Sequence, residues 1–323
     1  MSERSRPEDE NDARRPGDTV RLGLVAVGWL ALLMGLAKHG ARLVPLRLAR
    51  LLTLEQYLTL VQLVTLGVGL VATFGLVSRP REELGLTRTA PRAVLTTALL
   101  SPAVFVLASY LAVAVALPTL LEELRRGGAE LARSQSGEFG RAMTSAPVWS
   151  SIIWAVLVSP VGEELLFRGV LWSWLQRLVQ RFAKPASTEA LSQRFLRESW
   201  LVSVGRKGAA WWRRGGGATV LSSLVFGLMH ADLRGGQGII RVVAASCLAL
   251  ACGSARQVTG GLAAPIALHV IFNFLTLASA RRWVVFESFP KFFMVPTLVS
   301  SIAGVGVLVA LVVGLSGRRR ESR

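Results

Sequence analysis

Residues 147–175 read PVWSSIIWAVLVSPVGEELLFRGVLWSWL. The run is long enough to cross a bilayer, which takes about 17–25 mostly apolar residues in a helix. Yet Glu163, Glu164 and Arg168 sit inside it. Ionisable groups in hydrocarbon are costly unless partnered, so they mark either a buried polar network or a place where chemistry is done. Glu164 and Arg168 are four apart, on one helical face and within reach of each other. Glu163 points about 100° away from Glu164. Pro160 and Gly162 come just before, where they loosen the helix and free backbone groups for a cavity to satisfy.

Further apolar runs lie on either side: Leu22–Leu36, Leu58–Val77, Ala93–Leu117, Ala218–His230, Ile239–Ala255, Leu262–Ala280 and Phe292–Leu315. Together they predict an all-α, polytopic transmembrane helix bundle of about eight spans, or seven if one short run lies only in the interface. Leu22–Leu36 and Ala218–His230 are short, and the latter is expected to start nearer Trp211–Trp212, an interfacial anchor. The first 21 residues are polar, lack the order of a signal peptide, and are expected to be a disordered cytoplasmic tail. Of 323 residues, 52% are hydrophobic and 18% charged, against about a quarter charged in a soluble domain. Two cysteines exclude a disulfide scaffold or a Cys-rich zinc module. Gly215–Gly217 lack the lysine and strand of a phosphate-binding loop.

The net charge of +17 would point to nucleic acid in a soluble protein. In a chain of spans it points to positive-inside loops and anionic lipid, with no nucleic-acid partner expected. With the N-terminus inside, 23 Lys and Arg fall in inside segments and 13 in outside loops or, for Arg241, in the span end beside one. Both termini are therefore expected in the cytoplasm and the chain in the cell membrane. The loop 176–217 holds nine of these cations, and its stretch Leu191–Trp212 is either an interfacial helix or a solvated loop.

Three more polar residues fall inside spans: His230, His269 and Asn273. The third histidine, His39, sits beside Lys38 in a basic loop and reads as solvated. His269 and Asn273 are four apart on one face. Counted from the cytoplasmic ends of their spans, Glu163, His230, His269 and Asn273 lie at similar depths, about 12–18 Å at 1.5 Å per residue. Three chemistries suit such a cluster. A carboxylate and an imidazole sharing a water take its proton, while a second imidazole and an amide donate to the oxyanion of an attacked carbonyl. That set hydrolyses a peptide bond. Alternatively, two histidines and a glutamate hold a divalent metal with an open position. The third reading is a polar network that clamps three helices.

Glu163-Glu164-Leu165-Leu166-Phe167-Arg168 fits EExxxR, Phe226–His230 fits FxxxH, and His269–Asn273 fits HxxxN. In this order, each on its own apolar span, they resemble the CAAX-prenyl-protease and bacteriocin-processing (Abi) family of intramembrane proteases. Glu82-Glu83-Leu84-Gly85-Leu86, just before a span, looks like that family too, and the resemblance runs from about Glu82 to Ala280. It implies that Glu163 activates the water with His230 as partner, and that His269 and Asn273 stabilise the oxyanion. Glu164 would support the site with Arg168 as its ion-pair partner, and Phe226 would pack. The implied organisation is N-terminal spans over 22–80, a protease core over 81–285, and a C-terminal span and basic tail over 286–323.

The expected activity is an intramembrane endopeptidase acting near a membrane-associated segment of a protein or peptide. One option is the C-terminal sorting signal or anchor of a surface protein. The alternative is a non-catalytic immunity or scaffold protein of the same architecture. A transporter is a third reading, but transporters usually show paired repeats and none is visible. Ligand chemistry favours a metal-free reaction: HExxH spacing is absent and asparagine is a poor zinc ligand. If a metal such as zinc binds, the expected ligands are Glu163, His230 and His269.

Overall fold

A bilayer-length apolar run satisfies its backbone groups in hydrocarbon only as a helix or a closed barrel, and this chain forms helices. The computed structural model describes residues 16–43, 53–126, 144–182, 208, 210–231 and 235–283, and among these there are helices and turns with no strand. In chain order they are α1 (Pro16–Leu43), α2 (Leu54–Leu76), the short α3 (Pro80–Glu83), α4 (Pro91–Arg125), α5 (Val148–Phe182), α6 (Gly217–Met229), α7 (Gly235–Thr259) and α8 (Ala263–Ala280). Among the described residues, six of them (α1, α2, α4, α5, α7 and α8) are long and apolar enough to cross a membrane. The chain is an all-α polytopic bundle.

Two of the eight expected spans are not among these six, although the helical turns before α6 do start near Trp211–Trp212, as expected. Ala218–His230 becomes α6, of 13 residues. At 1.5 Å per residue that is about 20 Å, short of the roughly 30 Å of hydrocarbon. A π-helical turn, Trp212–Gly216, precedes it, kinked where Gly215 takes φ 121°. The rings of Trp211 and Trp212 lie where Gly216 and Gly217 would carry a Cβ. Phe292–Leu315 lies outside the described residues, as does Leu191–Trp212 up to residue 207. The expected tail over 1–21 also changes at its end, because α1 begins at Pro16. Asp18 is buried and accepts a hydrogen bond from Ser78 Oγ at 2.8 Å. An acidic residue in the first turn complements the helix dipole, so these polar residues start a span rather than precede one.

α4 packs along α7 and α8, α6 lies between α5 and α7, and α1 rests on α2 and α5. Small residues let these backbones approach, as is usual between membrane helices. Ala108, Ala112 and Ala116 are fully buried along one stripe of α4, and Gly227 of α6 faces Ser246 of α7. Large apolar side chains such as Leu95, Leu99 and Val71 point outward, as lipid contact requires.

The two ends of the bundle are tied differently. At one end Glu83 receives Arg177 of α5, and its carbonyl accepts from Ser173 Oγ at 2.7 Å. Gly85, at φ 70°, leaves room for the Arg256 guanidinium and accepts from the Leu262 amide at 3.0 Å. Arg256 in turn donates to the carbonyl of Arg168 at 3.1 Å. The Glu82–Leu86 stretch is thus the latch that joins α3, α5, α7 and α8. At the other end Glu123 Oε1 accepts from the Gly236 amide at 2.7 Å, at the start of α7, and Arg281 reaches the Ala146 carbonyl and Ser151.

Candidate active site

The site begins with a defect in α5. Pro160 has no N–H, and in an α-helix its ring would collide with the carbonyl four residues earlier. The preceding turn, Ile152–Val158, is widened to a π-helix, and the Ser159 amide bonds to the Trp154 carbonyl. The Ala155 carbonyl therefore loses Ser159 as donor, and in the π register its donor would be residue 160, the proline. A carbonyl inside the membrane needs another partner. Asn273 of α8 supplies it, its Nδ2 donating to Ala155 O at 2.7 Å. One hydrogen of that amide remains.

Past the proline, Glu163 and Glu164 separate into different roles. Glu163 lines the cavity, with Oε1 accepting from Ser159 Oγ one turn earlier. Glu164 has no exposure. Its Oε1 accepts from Arg168 Nη1 at 3.0 Å and lies 2.8 Å from His269 Nδ1. The Arg168 guanidinium, also without exposure, lies 4.7 Å from the centre of the Phe226 ring. Arg168 Nε and Nη2 and Glu164 Oε2 have no hydrogen-bond partner among the described residues, so this pair is held by one ion-pair contact and by ring contact.

Both imidazoles are oriented from behind. His269 Nδ1 faces a carboxylate, and His230 Nδ1 faces the Phe226 carbonyl at 2.8 Å. Oxygens of these two kinds accept, which assigns the proton to Nδ1 in each ring. His269 Nε2 then lies 3.8 Å from Glu163 Oε2. Phe226 sits between the two rings, at 4.4 Å from His230 and 5.9 Å from His269. The FxxxH phenylalanine is therefore more than packing: its carbonyl fixes one histidine, and its ring touches both histidines and the arginine.

Glu163, His230, His269 and Asn273 all border one cavity of about 660 Å³. Phe167, Phe226 and Phe272 are among its walls. Its lining extends to Ala37 in the last two turns of α1, Gln237 in the first turn of α7 and Ala280 at the end of α8. These turns lie at the Glu123 end of the bundle, away from the Glu83–Arg256 latch. Of the six expected site residues, four border the cavity, and Glu164 and Arg168 stand behind it.

For a divalent metal, the expected donors Glu163, His230 and His269 have suitable chemistry. Each histidine is oriented through Nδ1, as metal-bound imidazoles usually are. The tightest grouping among the described residues is a different one: Glu164, Cys252 and His269, all buried, with atoms within 4.8 Å of one another. That grouping is a poor cation site. Its carboxylate is already held by Arg168, whose charge opposes a metal, and its imidazole presents Nδ1 to Glu164.

Sequence reasoning centred on ionisable groups missed Ser159 and Gln62. Gln62 Nε2 lies 3.4 Å from Ser159 Oγ. The signal for Ser159 is its place four residues before Glu163, and for Gln62 an amide inside an apolar run.

Residues 145–275 match a family model described as Rce1-like: type II CAAX prenyl endopeptidase Rce1-like. The matched segment contains all six expected site residues. It bears out the resemblance carried by EExxxR, FxxxH and HxxxN, and marks this part of the chain as similar to a CAAX-type intramembrane protease. No curated protein and no solved structure matches the chain.

Proposed function

We propose that the chain is an intramembrane endopeptidase that hydrolyses a peptide bond close to a membrane-associated segment of its substrate. The observation that carries this reading is the convergence of Glu163, His230, His269 and Asn273 on one cavity, from α5, the end of α6, and α8.

Glu163 Oε2 is the free oxygen of a carboxylate whose other oxygen holds Ser159. A water between it and His230 Nε2 loses its proton to Glu163. The water oxygen bonds to the scissile carbonyl carbon, whose oxygen becomes an oxyanion. The remaining hydrogen of Asn273 Nδ2 donates to that oxyanion. With its Nδ1 held by Glu164, His269 turns Nε2 to the same side of the cavity as Glu163 Oε2. Collapse of the intermediate breaks the C–N bond, and Glu163 returns its proton to the leaving amine. The reaction needs no metal in this scheme. A divalent ion, if bound, would be held by Glu163, His230 and His269 and would supply Lewis-acid polarisation of the carbonyl.

The walls of the cavity are largely apolar, which suits an apolar substrate segment. The excess of Lys and Arg supports cytoplasmic termini in the cell membrane, with the basic loops against anionic lipid headgroups. In that orientation the latch end is cytoplasmic and the cavity lining reaches the outer face. This favours the C-terminal sorting signal or anchor of a surface protein as substrate.

The test compares wild-type cells with cells carrying Glu163→Gln, by protein-level analysis of C-termini. Glutamine keeps the shape and removes the base. At least one membrane-associated protein should retain its C-terminal segment in the variant, with the variant chain still accumulating. Unchanged processing would remove Glu163 as the base and favour a non-catalytic role.

A further inference from the structure

The family match begins at residue 145, so it leaves out α1 and α2, yet these two spans form one wall of the catalytic cavity. Leu33 and Met34 of α1, and Leu58, Val61 and Gln62 of α2, all line it. Gln62 differs in kind from the rest of that wall. Its Nε2 donates to Ser159 Oγ at 3.4 Å, and Ser159 Oγ donates to Glu163 Oε1. Its Oε1 lies beside Gly162, where an added Cβ would stand 3.3 Å away. The residue before Glu163 thus carries no side chain where Gln62 enters.

We propose that Gln62 is a positioning residue for Glu163, acting through Ser159. A serine hydroxyl has one proton to give. In a helix it readily turns back to the carbonyl four residues earlier, which for Ser159 is Ala155, the acceptor that Asn273 occupies. By donating to Ser159 Oγ, Gln62 fills a lone pair of that hydroxyl and fixes its rotation, so its proton goes to Glu163 Oε1. Glu163 Oε2 is then held towards His269 Nε2 and the cavity, and Asn273 keeps its hold on Ala155. One side chain of α2 therefore orders two groups of the site without touching the substrate. This inference rests on Glu163 being the base.

The experiment uses the full chain in liposomes, with the protein that Glu163→Gln cells leave unprocessed as its substrate. Gln62→Met keeps the length and loses the donor. Its kcat should fall about tenfold, as loss of one ordering hydrogen bond implies, with KM within about twofold. Ser159→Ala should fall at least as far. The double variant should fall no further than Ser159→Ala, because the effect runs through that hydroxyl. Leu58→Ala, which alters the wall without touching the relay, should change KM chiefly. Gln62→Glu has the same size but only accepts from Ser159, drawing its proton away from Glu163. Its kcat should fall at least as far as that of Gln62→Met, and it serves if Gln62→Met does not accumulate. Unchanged kcat, a loss confined to KM, or losses that multiply in the double variant would overturn the proposal while Glu163→Gln remains inactive. Activity retained by Glu163→Gln, or no substrate left unprocessed in those cells, would overturn the parent reading and this one with it.

Discussion

Among the described residues, Arg168 is the largest fully buried side chain, and its ion pair there is with Glu164. Truncating one partner of such a pair leaves the other charge buried alone, a loss of about 3–5 kcal/mol. Arg168→Ala should therefore lower the amount of protein in the membrane well below that of Glu163→Gln. Equal amounts on a membrane blot would mean that water reaches the guanidinium. Glu163→Gln should accumulate normally and lose at least about 100-fold in processing rate, the usual contribution of a positioned base. At this scale the sequence is informative about partners on one helix. Glu164 with Arg168, and His269 with Asn273, could be read from spacings of four. The contact of His269 with Glu164 could not, because the two are 105 positions apart and periodicity is silent on what a neighbouring helix brings. The result is a more specific histidine than expected, one anchored at Nδ1 before any substrate arrives.

At the scale of the element, α5 is irregular on both sides of Glu163 and Glu164. The sequence marks the spot with Pro160 and Gly162, but a π-helical turn has no residue signature of its own. Depths counted at α-helical rise are therefore blind to the widened turns at Ile152–Val158 and Leu165–Leu171. Replacing the proline tests the link between helix geometry and function. Pro160→Ala restores an N–H that competes for the backbone carbonyls, releasing Asn273 from Ala155. The variant should be at least as abundant as the wild type, because proline inside a helix is unfavourable by about 3 kcal/mol. It should nevertheless be slower in processing. Full activity in Pro160→Ala would mean that Asn273 needs no anchor. The latch offers a second test. Gly85→Ala meets both a φ of 70° and the Arg256 guanidinium. It should reduce thermal stability in detergent by more than the roughly 1 kcal/mol of the backbone term alone, read against an alanine substitution at Gly67, which has open space.

For the whole molecule, the bundle and its membrane class follow from hydropathy, whereas the exact spans do not. α6 differs because a short apolar run beside protein neighbours need not cross the bilayer alone. Sidedness is open to direct measurement in a background lacking Cys247 and Cys252, the two cysteines of the chain. Ala280→Cys lies at the cavity mouth and Arg88→Cys at the latch end, both at exposed positions. An impermeant maleimide outside cells should label the first and spare the second; the reverse would turn the cavity to the cytoplasm. The two carboxylates of α5 also bear on how the chain is made. Ser159 reaches Glu163, and Arg168 reaches Glu164, each from four residues away on the same helix. The histidines that later join them belong to segments synthesised afterwards. When α5 leaves the ribosome and enters the lipid, each of its acids already has a companion of its own. The least apolar of the six described spans is thereby equipped to pass the insertion machinery alone, and the helices that join it at the cavity can arrive late.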